Sequence, residues 1–353
     1  LPVAKKFREV NLLITIALDA MGGDHAPREI VEGGLLAVKE IKDISLILVG
    51  HQDKVAECLA GQNYPQDRVK VIHAPEVIGS DDPPVQAVRR KKDSSLMTAI
   101  RLVNEGSADA MVSAGNTGAL MAGSLLTAGR MKGIDRPALS IVLTSFTGDN
   151  VVLMDVGANM DATPEHLMQY ALMGKIYARE ILGKEKPRIA LLNVGTEDNK
   201  GNEQVKQAYL GLKNRLDGFI GNVEARDILS GAADVVICDG FVGNILLKAM
   251  EGMVAGIFSS LREVFRRDLR SKLGAALLLP QMKLFKKSMD YSEYGGAPLL
   301  GVDGVYVKSH GSSNARTIRS SIINQAYLFV RQNVNDQICS QLSTLQPRED
   351  ESE

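Results

Sequence analysis

The sequence predicts an α/β protein: a doubly wound, largely parallel sheet with a helical hairpin inserted into it. Three observations predict this class. Short apolar runs alternate with helix-length segments along nearly the whole chain, the pattern of strands joined by crossover helices. Several of the runs end in a glycine-rich polar loop that opens a helix. One stretch, 243–289, breaks the alternation and carries helical pattern only.

In chain order, the apolar runs place strands over 12–18, 45–49, 69–72, 108–112, 138–143, 151–155, 189–194, 219–220, 235–238 and 302–308. Helical periodicity places helices over 27–39, 85–104, 117–130, 164–182, 203–216 and 314–332. Pro27 and Pro164 suit the first helical turn, and Thr163-Pro164-Glu165 reads as an N-cap followed by an early acid. Between 243 and 289 a long helix is expected to break near Gly274 or Pro280 and continue as a second, so that the inserted hairpin spans 255–290. No linker or low-complexity run divides the chain, and a single α/β catalytic domain over 12–345 is expected.

Composition removes several classes of function. The 353 residues carry a formal net charge of −1, so no global basic field points to nucleic acid. Cys58, Cys238 and Cys339 show no metal-ligand or CxxC spacing, which fits a reducing, cytoplasmic setting without a disulfide framework. Cys238 ends an apolar run and is expected to be a buried, inert thiol. Lys5, Lys6, Arg8 and Glu9 interrupt any apolar core of a signal peptide. No segment is expected to supply the roughly 20 apolar residues that span a bilayer.

The strand-to-helix loops carry the chemistry. Such a junction aims free backbone N–H groups and the positive end of a helix dipole at one spot, which suits an anion such as phosphate. After the first strand come Asp19, Gly22, Gly23, Asp24 and His25; the loop is a candidate anion site or a tight turn with Asp24 capping the helix. Ser113, Gly115, Asn116, Thr117 and Gly118 offer neutral donors over small residues, or a helix capped by Asn116 or Thr117. Gly195 opens the loop that bears Lys200, whose ammonium is a point charge for phosphate or simply solvated. Asp239 begins the loop leading to Asn244, an oxyanion donor or an N-cap. His310 follows a further strand, as an acid/base group or an ordinary loop histidine.

The missing motifs narrow the chemistry further. The chain lacks GxGxxG, the Walker pattern GxxxxGKS/T, GxSxG and HExxH. Dinucleotide binding, phosphate-loop hydrolysis and an advertised nucleophile lose support, and neither a cofactor nor a metal is expected. Many anion donors without a nucleophile suggest that the anion itself attacks an acyl carbonyl. Holding both reactants in line supplies about 7–11 kcal/mol, and one oxyanion donor about 3–4 kcal/mol.

The hairpin carries Arg262, Arg266, Arg267, Arg270 and Lys272, then LGAALLLP (273–280), then Lys283, Lys286 and Lys287. An apolar tip holding Leu277, Leu278 and Leu279 between eight cations suits an anionic membrane surface; a tip buried at a subunit interface is the alternative. Arg89, Arg90, Lys91 and Lys92 form a candidate footprint for an acidic partner, or a solvated helix face.

Eight strings in order, ALDAMGGDHAP (17–27), VSAGNTGALM (112–121), KGIDRPAL (132–139), DVGAN (155–159), LLNVGTEDNKGNE (191–203), FIGNVEARD (219–227), CDGFVGN (238–244) and VKSHGSSN (307–314), resemble the bacterial acyl-carrier-protein:phosphate acyltransferases of phospholipid synthesis. The resemblance runs from about Leu13 to beyond Val330. It implies a fold like those of isopropylmalate dehydrogenases and phosphotransacetylases. The implied reaction takes acyl-carrier protein and inorganic phosphate to acyl phosphate, the donor for a membrane glycerol-3-phosphate acyltransferase. It also implies a homodimer, cytoplasmic and peripherally associated with the membrane. The family's essential lysine falls on Lys200 and its essential asparagine on Asn244; the resemblance implies that they serve phosphate, the thioester oxygen and the oxyanion, and leaves open which of the two contacts which. Two features depart from the family. Val242 stands where many members carry threonine, and residues 1–11 are expected to be an extension outside the family. A decarboxylating dehydrogenase of similar fold and a membrane-surface scaffold are the competing functions.

Overall fold

The computed structural model describes residues 13–288 and 294–342, with the side chains of 283, 284 and 286–288 left aside. The described residues form two units, one within 13–129 and 304–331 and the other within 130–303 and 332–342. The chain leaves and re-enters the first unit, so no composition shift marks the boundaries.

The first unit begins with β1 (Ile14–Asp19), α1 (Arg28–Glu40), β2 (Ile44–Gly50), α2 (Gln52–Leu59) and β3 (Val69–His73). It continues through α3 (Pro84–Arg90), α4 (Ser95–Asn104), β4 (Ala110–Ser113) and α5 (Thr117–Thr127). The second unit runs β5 (Ala138–Thr144), β6 (Asn150–Met154), α6 (Pro164–Glu180), β7 (Ile189–Asn193), α7 (Glu203–Arg215), β8 (Phe219–Glu224) and β9 (Val235–Ile237). The long helices α8 (Gly240–Arg266) and α9 (Leu269–Ser288) and then β10 (Ala297–Leu300) follow. The chain returns to the first unit with β11 (Tyr306–Lys308), α10 (Ala315–Ser320), a π-helical turn (Ser321–Tyr327) and α11 (Leu328–Arg331), and α12 (Val334–Gln341) joins the second.

In the first unit the strand order is β3-β2-β1-β4-β11, every pair parallel. Its strands β1, β2 and β4 are apolar on both faces, with Ile16, Leu18, Leu46, Leu48 and Met111 no more than 1% exposed, as a parallel sheet covered by helices requires. In the second unit the order is β10-β5-β6-β9-β7-β8. There β5 pairs antiparallel with both β10 and β6, and the remaining pairs are parallel. Leu153, Ala190, Val236 and Cys238 lie at the centre of that core.

Several elements differ from the sequence expectation. The helix expected over 85–104 is two helices, because Lys91 turns away to bond the Val77 carbonyl at 2.9 Å and Asp82 at 2.5 Å. Ser94 then caps α4. The helix over 314–332 is interrupted by the π-helical turn. Pro27 occupies the N-cap position of α1 without a side-chain cap, so Asp24 does not cap that helix. The hairpin breaks at Arg267–Asp268, where Asp268 accepts from the Ser271 N–H at 2.8 Å. Neither Gly274 nor Pro280 breaks it: Pro280 lies inside α9, and a helix with turns on both sides continues past one lost donor.

The expectation that no segment could span a bilayer also fails for α8, which is long and apolar enough to do so and is mostly unburied. The physical reason is local. Lys248 and Glu251, the charges within its first 20 residues, pair with each other at 2.8 Å, leaving a long uncharged remainder.

Candidate active site

Strands β1, β4 and β11 are neighbours in the first unit, so their carboxyl ends deliver three loops to one edge of its sheet. Asp19, 2% exposed, is the hub. Its carboxylate accepts from the Ser113 hydroxyl at 2.7 Å and from the Met21 N–H at 3.3 Å. Gly22 lies against it: a Cβ there would stand 2.5 Å from the Asp19 Oδ2 and 2.7 Å from the Gly115 nitrogen. The Asp24 N–H donates to the Gly311 carbonyl at 2.8 Å, and the Ser309 N–H to the Ser113 carbonyl at 2.8 Å. The three loops are thus stitched backbone to backbone.

Two of the expected anion donors in these loops already have partners. Ser113 is buried, donating to Asp19 and accepting from the Gly115 N–H at 3.0 Å. Asn116 caps α5 through the Ala119 N–H at 3.0 Å, and its amide donates to the carbonyls of Gly79, Ser80 and Asp82. Both side chains shape the loop, which leaves backbone N–H groups and the exposed Thr117 as its donors. Gly118 packs against Pro84. His25 and His310 are exposed, and His310 Nδ1 bonds the Ser312 hydroxyl at 2.8 Å.

Lys308 is a member of this cluster that sequence reasoning missed. It ends β11 yet is only 8% exposed. Its ammonium donates to the carbonyl oxygens of Ser309 and, at 3.4 Å, Ala114. Burial pulls its pKa down to about 8, against the opposing pull of Asp19 and Asp24. Burial raises the Asp19 pKa, while hydrogen bonds from Ser113 and Ser95 and the charge of Lys308 act the other way. The sequence signal was a cation closing an apolar strand inside the string 307–314.

The second unit builds its own cluster at the ends of β6, β7 and β9, again around a buried aspartate that the sequence reading passed over. Asp155 is fully buried. Its carboxylate accepts from the backbone N–H groups of Leu139 (3.1 Å), Gly157 (3.1 Å), Ala158 (2.9 Å) and Asn159 (2.7 Å). Burial raises its pKa and these N–H groups lower it. The Asn159 carbonyl in turn accepts from the Gly240 N–H at 2.7 Å, tying the loop to the start of α8. Gly243 completes the contact: a Cβ there would lie 1.9 Å from the Asp155 carbonyl oxygen.

Asp239 caps α8 by accepting from the Val242 N–H at 2.9 Å. Asn244 is therefore not the cap. It lies in the second turn, half-buried, with no side-chain hydrogen bond among the described residues. Its amide packs over Gly157, whose φ of +136° is a conformation that favours glycine. Lys200 sits on the loop after β7 with its side chain 47% exposed and Glu197 3.8 Å away. Such an exposed pair contributes little stability, so the ammonium is available for an anion. Gly195 leaves room for the stem of Lys200.

A cavity of about 830 Å³ opens between these two loops, beside Asn202 on one and Asp239, Phe241 and Val242 on the other, with Met160 and Thr163 contributing. The first residues of α6, α7 and α8 line it. Its size falls in the range of small-molecule sites, about 300–1,000 Å³. Cys238 lies beneath, buried, with its thiol pKa pushed up by burial, in keeping with an inert core residue. Among the described residues no three His, Cys, Asp or Glu side chains group as for a metal.

The family model described as fatty acid synthesis protein matches residues 14–337. The chain belongs to that family. A phosphate acyltransferase of Brevibacillus brevis is 53% identical over 323 residues, 92% of this chain and 96% of the relative. A phosphate acyltransferase of Bacillus cereus is 51% identical over 307 residues, 87% and 92% of the two chains. This family member is an acyltransferase. In fold it is similar to a phosphotransacetylase of Streptococcus pyogenes, with a TM-score of 0.60 at 18% identity over 91% of this chain and 94% of the other. A branched-chain phosphotransacylase of Enterococcus faecalis gives 0.53 at 17% identity over 89% and 98%. The α/β fold expected from the sequence is the fold found.

On the hairpin, Leu277, Leu278 and Leu279 are 76%, 50% and 51% exposed, and Leu269 and Leu273 are more than two-thirds exposed. A second cavity, about 440 Å³, is lined by Phe258, Leu261, Phe265 and Leu279 with Arg262 and Arg266 among its other residues. Of the expected flanking cations, Lys283, Lys286 and Lys287 lie outside the described side chains. So do the extension at 1–11, the hairpin's end at 289–290 and the domain's end at 343–345. In the basic run at 89–92, Lys91 is bound to Asp82 and the Val77 carbonyl, which lessens its use as a partner footprint.

Proposed function

We propose that this chain transfers an acyl group from acyl-carrier protein to inorganic phosphate, yielding acyl phosphate for phosphatidic acid synthesis. The observation that carries the reading is the unpartnered Asn244 amide in the second turn of α8, two residues beyond Val242, which lines a cavity that the Lys200 loop borders through Asn202; Asn244 and Lys200 themselves lie outside its lining. A phosphate oxygen attacks the thioester carbonyl carbon, and the carbonyl oxygen becomes an oxyanion. The C–S bond then breaks, the C=O re-forms, and the carrier-protein sulfur leaves as a thiolate that takes a proton from solvent. Asn244 donates to the oxyanion, and Lys200 orients phosphate or the thioester oxygen as a point charge. No protein nucleophile takes part. Val242 supplies no hydroxyl beside Asn244, so this chemistry proceeds without one.

Phosphate-dependent release of carrier-protein thiol tests the assignments. Asn244→Ala is expected to lower kcat by about 10²–10³-fold, with Lys200→Ala mainly raising KM. Turnover near wild type in both variants would overturn the roles. A second copy of the chain, the acidic carrier protein, the membrane glycerol-3-phosphate acyltransferase that consumes the product and a cytoplasmic location at the membrane surface belong to the same reading.

The exposed leucines of α9 support peripheral docking onto an anionic bilayer. Leu277→Glu together with Leu278→Glu is expected to abolish binding to anionic vesicles while turnover in solution stays within about twofold. Unchanged vesicle binding would contradict the docking reading.

A further inference from the structure

We propose that Lys308 is a positioning residue for phosphate: its buried ammonium neutralises Asp19 and fixes the loops of the first unit so that their backbone donors can hold an anion. The inference rests on the proposed function, in which inorganic phosphate is a substrate, and assigns a role to a side chain that this reaction scheme leaves unused.

The geometry requires a cation at this place. Asp19 and Asp24 bring two carboxylates to loops that also carry backbone N–H groups, and an uncompensated Asp19 would repel an anion that those groups attract. Lys308 is the charge that faces them, from β11. Asp19 on β1 and Asp24 in the following loop act on it electrostatically. His310 and Glu29 bond elsewhere, to Ser312 and to the Ala315 N–H. An ammonium with two carbonyl partners on two different loops also sets the direction of the neighbouring peptide units. The carbonyls of Ala114 and Ser309 are held inward, and the same loop leaves the Ser313 hydroxyl buried without a partner among the described residues.

A pH dependence follows. Because the charged form of Lys308 is disfavoured by burial, it is lost as pH rises through about 8. Above that pH Asp19 is left uncompensated, and the KM for phosphate rises. An arginine keeps its charge throughout this range.

The experiment is steady-state kinetics of the full chain with inorganic phosphate and acyl-carrier protein, varied separately between pH 6.5 and 9.5 in steps of about half a unit. Lys308→Met is expected to raise the phosphate KM about tenfold or more, with the thioester KM changed less than about twofold. Lys308→Arg is expected to keep phosphate binding and remove the alkaline rise. If either single variant fails to fold, Asp19→Asn with Lys308→Met removes both buried charges, a change that stability tolerates better than removing one. With the repulsion gone and only the loop contacts of Lys308 lost, that double variant is expected to show a modest rise in phosphate KM and no alkaline limb. An unchanged phosphate KM in Lys308→Met would overturn the proposal, as would an alkaline limb that persists in Lys308→Arg or in the double variant. Wild-type protein that releases thiol without needing phosphate would instead overturn the proposed function on which this inference rests.

Discussion

The two units bury an aspartate at the same kind of place, the carboxyl end of a parallel strand, and satisfy it by different means. In the first unit Asp19 has the hydroxyls of Ser113 and Ser95, one backbone N–H and the charge of Lys308. In the second, Asp155 is held by four backbone N–H groups. A carboxylate compensated by charge can be retuned by pH. One held by several peptide N–H groups depends on backbone geometry, and the glycines around it carry that sensitivity. The difference predicts two kinds of sensitivity: the first cluster to its charge balance, the second to the backbone geometry at the start of α8.

The sharpest way to break this comparison is Asp155→Ala. It removes the shared acceptor of four buried N–H groups, and unsatisfied groups of that kind cost about 1–3 kcal/mol each. A stability loss of about 3 kcal/mol or more in chemical denaturation is expected. A loss below about 1 kcal/mol would show that the loop does not depend on this carboxylate.

Gly243→Ala comes next. With only 1.9 Å between its Cβ position and the Asp155 carbonyl oxygen, the start of α8 must shift. Overpacking of this sort costs about 1–3 kcal/mol, and an ångström of displacement at Asn244 costs about a hundredfold in rate. Thiol-release kinetics on the folded variant should show kcat falling far more than the phosphate KM rises. The reverse pattern would place geometric sensitivity in the wrong unit.

The smallest effect is expected from Asn116→Ala. The side chain is a helix cap and loop clamp, so thermal denaturation should report a loss of about 1 kcal/mol, with phosphate KM changed by less than about threefold. A larger KM change would restore Asn116 as a direct phosphate donor.

These contrasts also mark what the sequence could and could not reveal. The loops bearing Asp19, Asn116, Lys200, Asp239 and Asn244 were legible because an apolar run followed by glycine and a capping residue is a local signal. The Thr163 cap was legible for the same reason, and it forms a reciprocal box with His166. Other features depend on distant contacts. Lys308 reads as an ordinary charged residue until β11 is set beside β4, and Asp155 as the last residue of a strand until four N–H groups converge on it. The break after α3 follows from Lys91 reaching back to Val77 and Asp82, which periodicity does not record. The π-helical turn at Ser321–Tyr327 carries the same apolar spacing as the helix expected there. Asn116 and Ser113 illustrate the converse: donors identified correctly by type whose hydrogen bonds are already made within the fold.

The central claim, that a phosphate oxygen rather than water or a protein side chain accepts the acyl group, is tested most directly by product stoichiometry. Acyl-carrier protein is turned over with and without inorganic phosphate, free thiol is titrated, and the acyl product is trapped with hydroxylamine. The account predicts thiol release that requires phosphate and is matched mole for mole by trapped acyl phosphate. Thiol release that proceeds equally without phosphate, with free fatty acid as the product, would contradict it.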